Sequence, residues 1–379
     1  MDLEYGAGEQ AFREEARAWL TAHVPRAPLP SLETAEGFAA HRAWEAELAA
    51  DRWSVVDWPR EYGGRGADLL RWLVFEEEYY AAGAPGRVAQ NGVNLLAPTL
   101  FDFGTEAQRA RVLPPMADGT QIWAQAWSEP GAGSDLASLV SRAERTDGGW
   151  LLHGLKTWSS RAAFADRAFG LFRSDPDADR PHRGLTYLMF DLRAPGVTVR
   201  PIGRLDGKPA FAELALDGVF VPDEDVIGEP GGGWRIAMSA TGSERGLTLR
   251  SPGRFLASAD RLVRLWREGG EDPALRGRVA DAVIGARAYQ LFTLAGASRF
   301  AAGEAIGPES SLNKVFWSEY DIALHETALD LLGPDAELAD SPWAEGYVFS
   351  LAGPVYAGTN EIQRDIIAER LLGLPKGRR

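Results

Sequence analysis

The spacing of apolar residues changes twice along the chain. In the first third, apolar residues recur at helical spacing and predict helices over 9–22, 68–82 and 105–113. Pro114 and Pro115 directly follow the third of these runs. They are expected to end that helix, because proline cannot donate to the helical hydrogen-bond ladder.

Between about residues 120 and 230 the apolar runs become short, and Gly and Pro separate them. Asp147-Gly148-Gly149 is typical of a hairpin turn between two such runs. Short runs at close intervals, without helical segments between them, favour an antiparallel sheet or barrel over a βαβ arrangement. The predicted strands are 150–158, 168–173, 185–192, 197–202 and 210–221.

Helical spacing returns after Gly233, most clearly over 311–332 and 360–372. Gly333-Pro334 is expected to end the first of these helices. The order of helices, strands and helices predicts an α+β fold. We expect an N-terminal α-helical domain over 1–119, a middle β-barrel domain over 120–231 and a C-terminal α-helical bundle domain over 232–379.

Composition narrows the class of protein. The chain of 379 residues has 40 basic and 54 acidic side chains, and this net charge of −14 argues against nucleic acid as a partner. The N-terminus lacks the basic and apolar stretches of a signal peptide, and no apolar run approaches the ~20 residues that span a bilayer. The absence of cysteine excludes disulfides and thiolate chemistry, and the five histidines lack zinc-like spacing. We expect a cytoplasmic enzyme with no metal and no membrane partner.

The most informative segment runs from Gln125 to Asp135. Gly131 and Gly133 allow the backbone to approach a ligand closely, and exposed N–H groups in such a loop suit a phosphate or a polar ring edge. Ser128 and Ser134 add hydroxyl groups. From its spacing alone, the segment fits an ordinary glycine-rich turn equally well.

The sequence of residues 128–135, Ser-Glu-Pro-Gly-Ala-Gly-Ser-Asp, closely resembles the signature of the acyl-CoA dehydrogenase family. Residues 57–64, 154–160 and 358–364 resemble three further motifs of that family, so the resemblance covers essentially the whole chain. It implies a helical domain, a β-barrel and a four-helix bundle, with FAD as the cofactor. It also implies a tetramer, either of one chain or with a related subunit.

The resemblance further implies which residues contact FAD. Trp127 and Ser128 would lie near the flavin ring, Trp158 against it, and Ser160 at its edge. The alternative for Trp158 is a buried strand residue. The other residues carried over as cofactor contacts are Gln125, Gly133, Ser134, Arg267, Thr359 and Glu361, and those carried over as substrate contacts are Ser134 and Arg245.

The catalytic base departs from the commoner family pattern. Many relatives have a glutamate directly after the tyrosine of the C-terminal signature, but here Ala357 follows Tyr356 and cannot accept a proton. Other relatives place the base on a helix, just before an arginine, and Glu244 precedes Arg245 in this way. We therefore predict Glu244 as the base. The alternatives are that both are solvated helix charges, or that the subunit has no base.

The elements that usually hold the flavin pyrophosphate also differ. Residues 267–270 lack the usual phenylalanine, and residues 330–334 lack the usual glutamine. Asp330 beside a pyrophosphate is unfavourable unless its carboxylate points away. These departures predict a weaker hold on FAD, or a clamp that comes from a different partner chain. Ser159-Ser160 replaces the commoner Ile-Thr but keeps a hydroxyl group.

The reaction implied by the resemblance is α,β-dehydrogenation of an acyl thioester to the 2-enoyl thioester. Glu244 would take the α-proton while a hydride leaves the β-carbon for the flavin, and an electron-transferring flavoprotein would accept the electrons. The chain resembles the actinobacterial subgroup that acts on steroid side chains, which implies a bulky or branched acyl group. Alternatives are a dehydrogenase for acyl groups bound to acyl-carrier protein, a non-catalytic structural subunit, and a flavin monooxygenase or oxidase.

Overall fold

The computed structural model describes the backbone of residues 4–245, 251–304, 307–337 and 341–377, and their side chains except those of 240–245. The chain forms two compact units. The first unit comprises Met1–Pro25, Ala67–Ala84 and Arg245–Arg379, and the second comprises Arg26–Gly66 and Pro85–Glu244.

Helices dominate both ends of the chain. The α-helices in the described part are α1 (Ala7–His23), α2 (Ala35–Ala50), α3 (Leu69–Ala81), α4 (Ala97–Phe103), α5 (Glu106–Ala117), α6 (Gly233–Arg245), α7 (Pro252–Glu268), α8 (Arg276–Ala301), α9 (Ser310–Leu332), α10 (Pro342–Ser350) and α11 (Asn360–Ile366). A π-helical turn, Ile367–Leu371, continues α11. None of the described helices is long and apolar enough to cross a membrane. The helices predicted over 9–22, 68–82, 311–332 and 360–372 are confirmed.

The expectation that Pro114 and Pro115 end the third predicted helix is wrong, because both lie inside the last turn of α5. Proline lacks an N–H but its carbonyl still accepts, and Pro114 O takes the N–H of Asp118 at 3.1 Å. Met116, in the same turn, is fully buried.

In the first unit, the N-terminal helix α3 packs with α1 and with the C-terminal helices α7 and α8. Helix α3 contacts α7 so closely that a Cβ on Gly253 would lie 2.6 Å from the carbonyl oxygen of Glu76. Two buried carboxylates on α3, those of Glu77 and Glu78, both pair with Arg13 of α1 at 2.8 Å. This unit is therefore built from segments distant in sequence.

The second unit contains one sheet, in the order β6-β7-β3-β2-β4-β5-β8, with β1 pairing in parallel with β4. The strands are β1 (Trp123–Ala126), β2 (Arg142–Thr146), β3 (Gly149–Ser160), β4 (Arg167–Arg173), β5 (Leu185–Asp191), β6 (Val197–Ile202), β7 (Phe211–Pro222) and β8 (Val226–Ile227). Gly148, at φ 72°, turns the chain between β2 and β3, so the predicted hairpin is confirmed. The five strands predicted with bounds all form, and β2 is the first run of the predicted hairpin, whereas β1 and β8 were not predicted.

Candidate active site

Trp158 lies at a bulge in the pairing of β3 with β7. Two residues of β3, Thr157 and Trp158, lie opposite one residue of β7, Glu213. Trp158 has a φ of 58°, which is rare for a bulky side chain, and its side chain is 59% exposed. Phe211 supports the indole edge-on, with the ring centroids 5.8 Å apart. The bulge thus presents a flat aromatic surface outside the core, and Trp158 is not the buried strand residue of the alternative interpretation.

The glycine-rich loop beside this strand is closed at its base by one carboxylate. Glu129, at the start of the loop, accepts the backbone N–H of Val140 at 2.7 Å and that of Ser141 at 3.0 Å, at the loop's end. The same carboxylate accepts Lys156 Nζ at 2.7 Å. Ser128 O also accepts the N–H of Thr157 at 2.9 Å. The loop is therefore fixed to the strand that carries the exposed tryptophan.

The side chain of Lys156 places an ammonium group in the core of the second unit. Its Nζ also donates to Leu171 O at 2.7 Å and lies 4.7 Å from the ring centroid of Phe172. Burial lowers the pKa of Lys156 to about 8, although the charge of Glu129 opposes that shift. Burial raises the pKa of Glu129, but the charge of Lys156 and the hydrogen bonds outweigh it and hold that pKa below its usual range. The base of the glycine-rich loop is thus held by a charged Lys156 ammonium paired with a charged Glu129 carboxylate.

The loop residues predicted to contact a ligand differ in exposure. Ser128, Gly133 and Ser134 are exposed, and a Cβ on Gly133 would meet no atom within 4 Å. Gly133 has a φ of 54°, a backbone conformation that favours glycine. The indole of Trp127 is buried and packs edge-on against Tyr187 at 6.1 Å. We therefore expect Trp127 to contribute through its backbone and Ser128 and Ser134 through their hydroxyls.

Two further predicted contacts flank this loop in the second unit. Gln125 is half-buried on β1, opposite Phe169 of β4. Ser160 is the last residue of β3 and is partly exposed, and its carbonyl accepts Asn91 Nδ2 at 3.5 Å. The second unit therefore carries seven of the predicted cofactor contacts, on β1, β3 and the loop that follows β1.

In the first unit, the start of α11 carries Thr359 and Glu361. Thr359 caps the helix, and its Oγ1 accepts the N–H of Ile362 at 3.3 Å. Asn360, buried, accepts Lys314 Nζ at 2.9 Å and Ser318 Oγ at 3.1 Å. The exposed Glu361 has its pKa lowered by its own backbone N–H and by the Thr359 hydroxyl. Helix α9 thus fixes the first turn of α11.

The remaining predicted residues lie on other helices. Arg267 is exposed in the last turn of α7. The carboxylate of Asp330 pairs with Arg278, so its charge is engaged within the first unit. Glu244 and Arg245 fall in the last turn of α6, but their side chains lie outside the described residues. The role of Glu244 stays a prediction.

Comparison with known proteins shows which family has this order of domains. Residues 7–120, 124–219 and 231–372 match the sequence models of the N-terminal, middle and C-terminal domains of acyl-CoA dehydrogenase. Acyl-CoA dehydrogenase IpdE1 of Mycobacterium tuberculosis is 39% identical over 382 residues, which cover 97% of this chain and 98% of that protein. Acyl-CoA dehydrogenase FadE26 of the same organism is 30% identical, and the alignment covers 100% of both chains.

Solved structures agree with these matches. The structure described as the Tcur3481-Tcur3483 steroid ACAD has a TM-score of 0.89 at 29% identity, and the alignment covers 100% of both chains. The ChsE4-ChsE5 complex from Mycobacterium tuberculosis has a TM-score of 0.84 at 28% identity, again over 100% of both chains.

The matches define the class as FAD-dependent flavoenzymes with helical, β and helical domains, which confirms the predicted fold class. The chain belongs to the acyl-CoA dehydrogenase family, and it is an acyl-CoA dehydrogenase with FAD as its cofactor. The residues present fit that cofactor, because an exposed indole suits a flat ring and a glycine-rich loop in open space allows close backbone approach.

Sequence reasoning missed the side chains that hold the site in place. Lys156 and Glu129 were within recognised motifs but were not identified as a pair. The available signal was a lysine inside a predicted strand, between Leu155 and Trp158, since a buried ammonium needs a partner. Lys314 and Asn360 gave no such signal, because they are 46 residues apart and each occurs on an ordinary helix.

Proposed function

We propose that this chain removes two hydrogens from the α and β carbons of a bulky or branched acyl-CoA and forms the 2-enoyl-CoA. The observation that carries the proposal is Ala357. By its resemblance to the C-terminal signature of the family, this small residue, at φ 56°, stands at the position that implies a glutamate base in many relatives. A methyl group in place of a carboxylate side chain leaves volume for a larger acyl group. The relative described as a steroid ACAD supports a large substrate.

In this reaction Glu244 removes the α-proton. General bases at such sites contribute a factor of ~10²–10⁴ in rate. A backbone N–H polarises the thioester carbonyl and thereby acidifies the α-carbon. Bound FAD would supply the acceptor for the hydride that leaves the β-carbon. Trp158 would hold the flat ring, and the clamped loop with Ser128 and Ser134 would place polar donors at its edge.

We further propose that the chain functions in a tetramer with itself or a related subunit and passes electrons to an electron-transferring flavoprotein. Two of the similar solved structures have names that join two proteins, Tcur3481-Tcur3483 and ChsE4-ChsE5. Helix α8 exposes large apolar residues at intervals of eight, with Ile284 64% exposed, Phe292 43% and Phe300 49%. Such a ridge packs well against another helix. Leu312 and Phe316 on α9 are also exposed, whereas the buried face of α9 is largely polar.

The test is anaerobic titration of the purified yellow protein with butanoyl-CoA, octanoyl-CoA and a steroid-ring acyl-CoA. The expected result is bleaching of the flavin absorbance, fastest with the largest acyl group, and a product two mass units lighter than the substrate. Bleaching only by a carrier-protein thioester supports the carrier-bound alternative instead. A protein that retains FAD but is reduced by no thioester contradicts the proposed function.

A further inference from the structure

Gln363 is fully buried on α11, and its side-chain amide points back to the turn that precedes the helix. Its Nε2 donates to the carbonyl oxygen of Ala357 at 3.2 Å and to that of Gly358 at 3.3 Å. These consecutive residues have φ of 56° and 80°. A left-handed backbone is unfavourable for a residue with a Cβ, so Ala357 needs an interaction that holds it there.

The oxygen of the same amide shows that this turn determines how the Gln363 side chain is oriented. Gln363 Oε1 is buried and has no hydrogen-bond partner among the described residues. A buried acceptor without a donor is destabilising, and a leucine would fill similar space without that penalty. Reversing the amide would set Oε1 against two carbonyl oxygens. The glutamine therefore gives up one hydrogen bond and keeps the two that fix the turn.

Holding the carbonyls also fixes the N–H groups of the turn. No cis peptide bond occurs in the described residues, and a trans peptide directs its C=O and N–H to opposite sides. The N–H groups of Gly358 and Thr359 therefore point away from Gln363. Within the described part of the chain, neither donates a hydrogen bond. One side chain thus sets the direction of two available donors and of the Ala357 methyl group.

We propose that Gln363 is a positioning residue for the acyl and cofactor site: its amide holds Ala357 and Gly358 in the left-handed turn that presents the Ala357 methyl and the adjoining N–H donors. This inference rests on the proposed function, in which Ala357 borders the acyl group. Gln363 itself touches neither substrate nor cofactor. Its effect passes through the backbone of the turn.

The chain offers a matched control for testing this role. Gln108, on α5, is also a buried glutamine whose Nε2 donates to two carbonyl oxygens, those of Glu224 at 2.9 Å and Val226 at 2.7 Å. Gln363→Leu and Gln108→Leu each remove two amide–carbonyl hydrogen bonds from a buried site, and Gln108→Leu also removes the acceptor of the Thr105 N–H, 2.9 Å away. Both are expected to lower the midpoint of urea unfolding.

Only the Gln363 variant is expected to change the site. In full-length holoprotein, at a temperature where all variants are folded, we measure the FAD dissociation constant and the rate constant of anaerobic flavin reduction by octanoyl-CoA and a steroid-ring acyl-CoA. Gln363→Leu is expected to lower the rate constant about 10–100-fold, because small misplacements of reacting groups cost this much. It is also expected to weaken FAD binding about tenfold, whereas Gln108→Leu matches the unmodified protein in both.

Rescue gives a second criterion. Glycine adopts a left-handed backbone without strain, so adding Ala357→Gly to Gln363→Leu is expected to restore a substantial part of the reduction rate. Equal effects of Gln363→Leu and Gln108→Leu on FAD binding and on reduction overturn the proposal. If no acyl-CoA reduces even the unmodified protein, the proposed function fails, and Gln363 is judged by FAD affinity alone. An FAD affinity unchanged by Gln363→Leu then overturns the positioning role.

Discussion

Lys156 Nζ lies 2.7 Å from Glu129 Oε1, and neither side chain is more than 3% exposed. The pair joins β3 to the base of the glycine-rich loop, 27 residues earlier in the chain. Breaking a buried pair by removing one partner leaves the other charge buried without compensation, which typically costs about 3–5 kcal/mol.

Lys156→Met is therefore expected to lower the free energy of unfolding by about 3–5 kcal/mol and to weaken FAD binding, because the loop loses its anchor. The double variant Lys156→Met/Glu129→Gln buries no charge and is expected to be more stable than Lys156→Met alone. Urea unfolding of the two single variants and the double variant measures the coupling. Additive losses, with no coupling between the two positions, contradict the structural role of the pair.

The same pair predicts a pH dependence in alkaline solution. The pKa of Lys156 is about 8 in the folded protein and 10.5 in its ordinary state, so the unfolded chain binds more protons between these values. The free energy of unfolding therefore gains a positive contribution with pH from about 8 to 10.5, of at most ~1.4 kcal/mol per pH unit. Lys156→Met lacks this contribution. Identical pH slopes for the two proteins in this window contradict the lowered pKa.

The lowered pKa of Glu129 predicts a loss of stability in acidic solution. Its stabilisation is fully present above the ordinary value of 4.5 and is lost as pH falls through the folded value. The unmodified protein is therefore expected to lose more stability below pH 4.5 than Glu129→Gln does. Unfolding by urea between pH 6 and pH 3 measures the difference, and parallel curves contradict the assignment.

Trp158→Ala is expected to weaken FAD retention and to shift the visible flavin spectrum. It should cost little folding stability, because the side chain is mostly exposed and the left-handed backbone is unfavourable for it. Phe220→Ala is a matched control, since Phe220 is an aromatic residue of β7 that is 51% exposed. An unchanged spectrum and unchanged FAD occupancy in Trp158→Ala rule out the stacking role.

Glu244→Gln preserves shape and removes basicity, so it is expected to keep FAD while anaerobic flavin reduction slows by ~10²–10⁴. A normal reduction rate in this variant shows that Glu244 is not the base. Adding Ala357→Glu is a second test, in which partial recovery shows that a carboxylate at residue 357 can reach the α-carbon. Absorbance at the flavin maximum in a stopped-flow instrument measures both variants.

Local patterns predicted the fold better than the site. The strands followed from runs bounded by Gly and Pro, since both signals are local. The contact of α3 with α7 could not be predicted in this way, because it depends on segments distant in sequence. Lys156 and Gln363 illustrate the same limit for the site. Their roles depend on partners brought near by β3 and by the turn before α11, and single-residue chemistry does not reveal such partners.

The α+β order itself was predictable, because helical and strand periodicities differ strongly. The failure at Pro114 has a simple cause: proline removes only its own donor, and a buried last turn can continue past it. Trp158 was identified by resemblance, but its exposure came from a bulge that no periodicity indicates. Motifs therefore located the site, and packing determined its geometry.

The first unit draws on both ends of the chain, and this has a consequence during synthesis on the ribosome. Gln290 of α8 hydrogen-bonds to Glu77 of α3 across 213 residues of sequence. At roughly 5–20 residues per second, α3 emerges about 10–40 s before that partner exists. The second unit, which ends at Glu244, can fold in that interval. Until α7 and α8 emerge, the face of α3 that packs against them is open to chaperones, and a nascent chain stalled before residue 290 leaves the first unit incomplete.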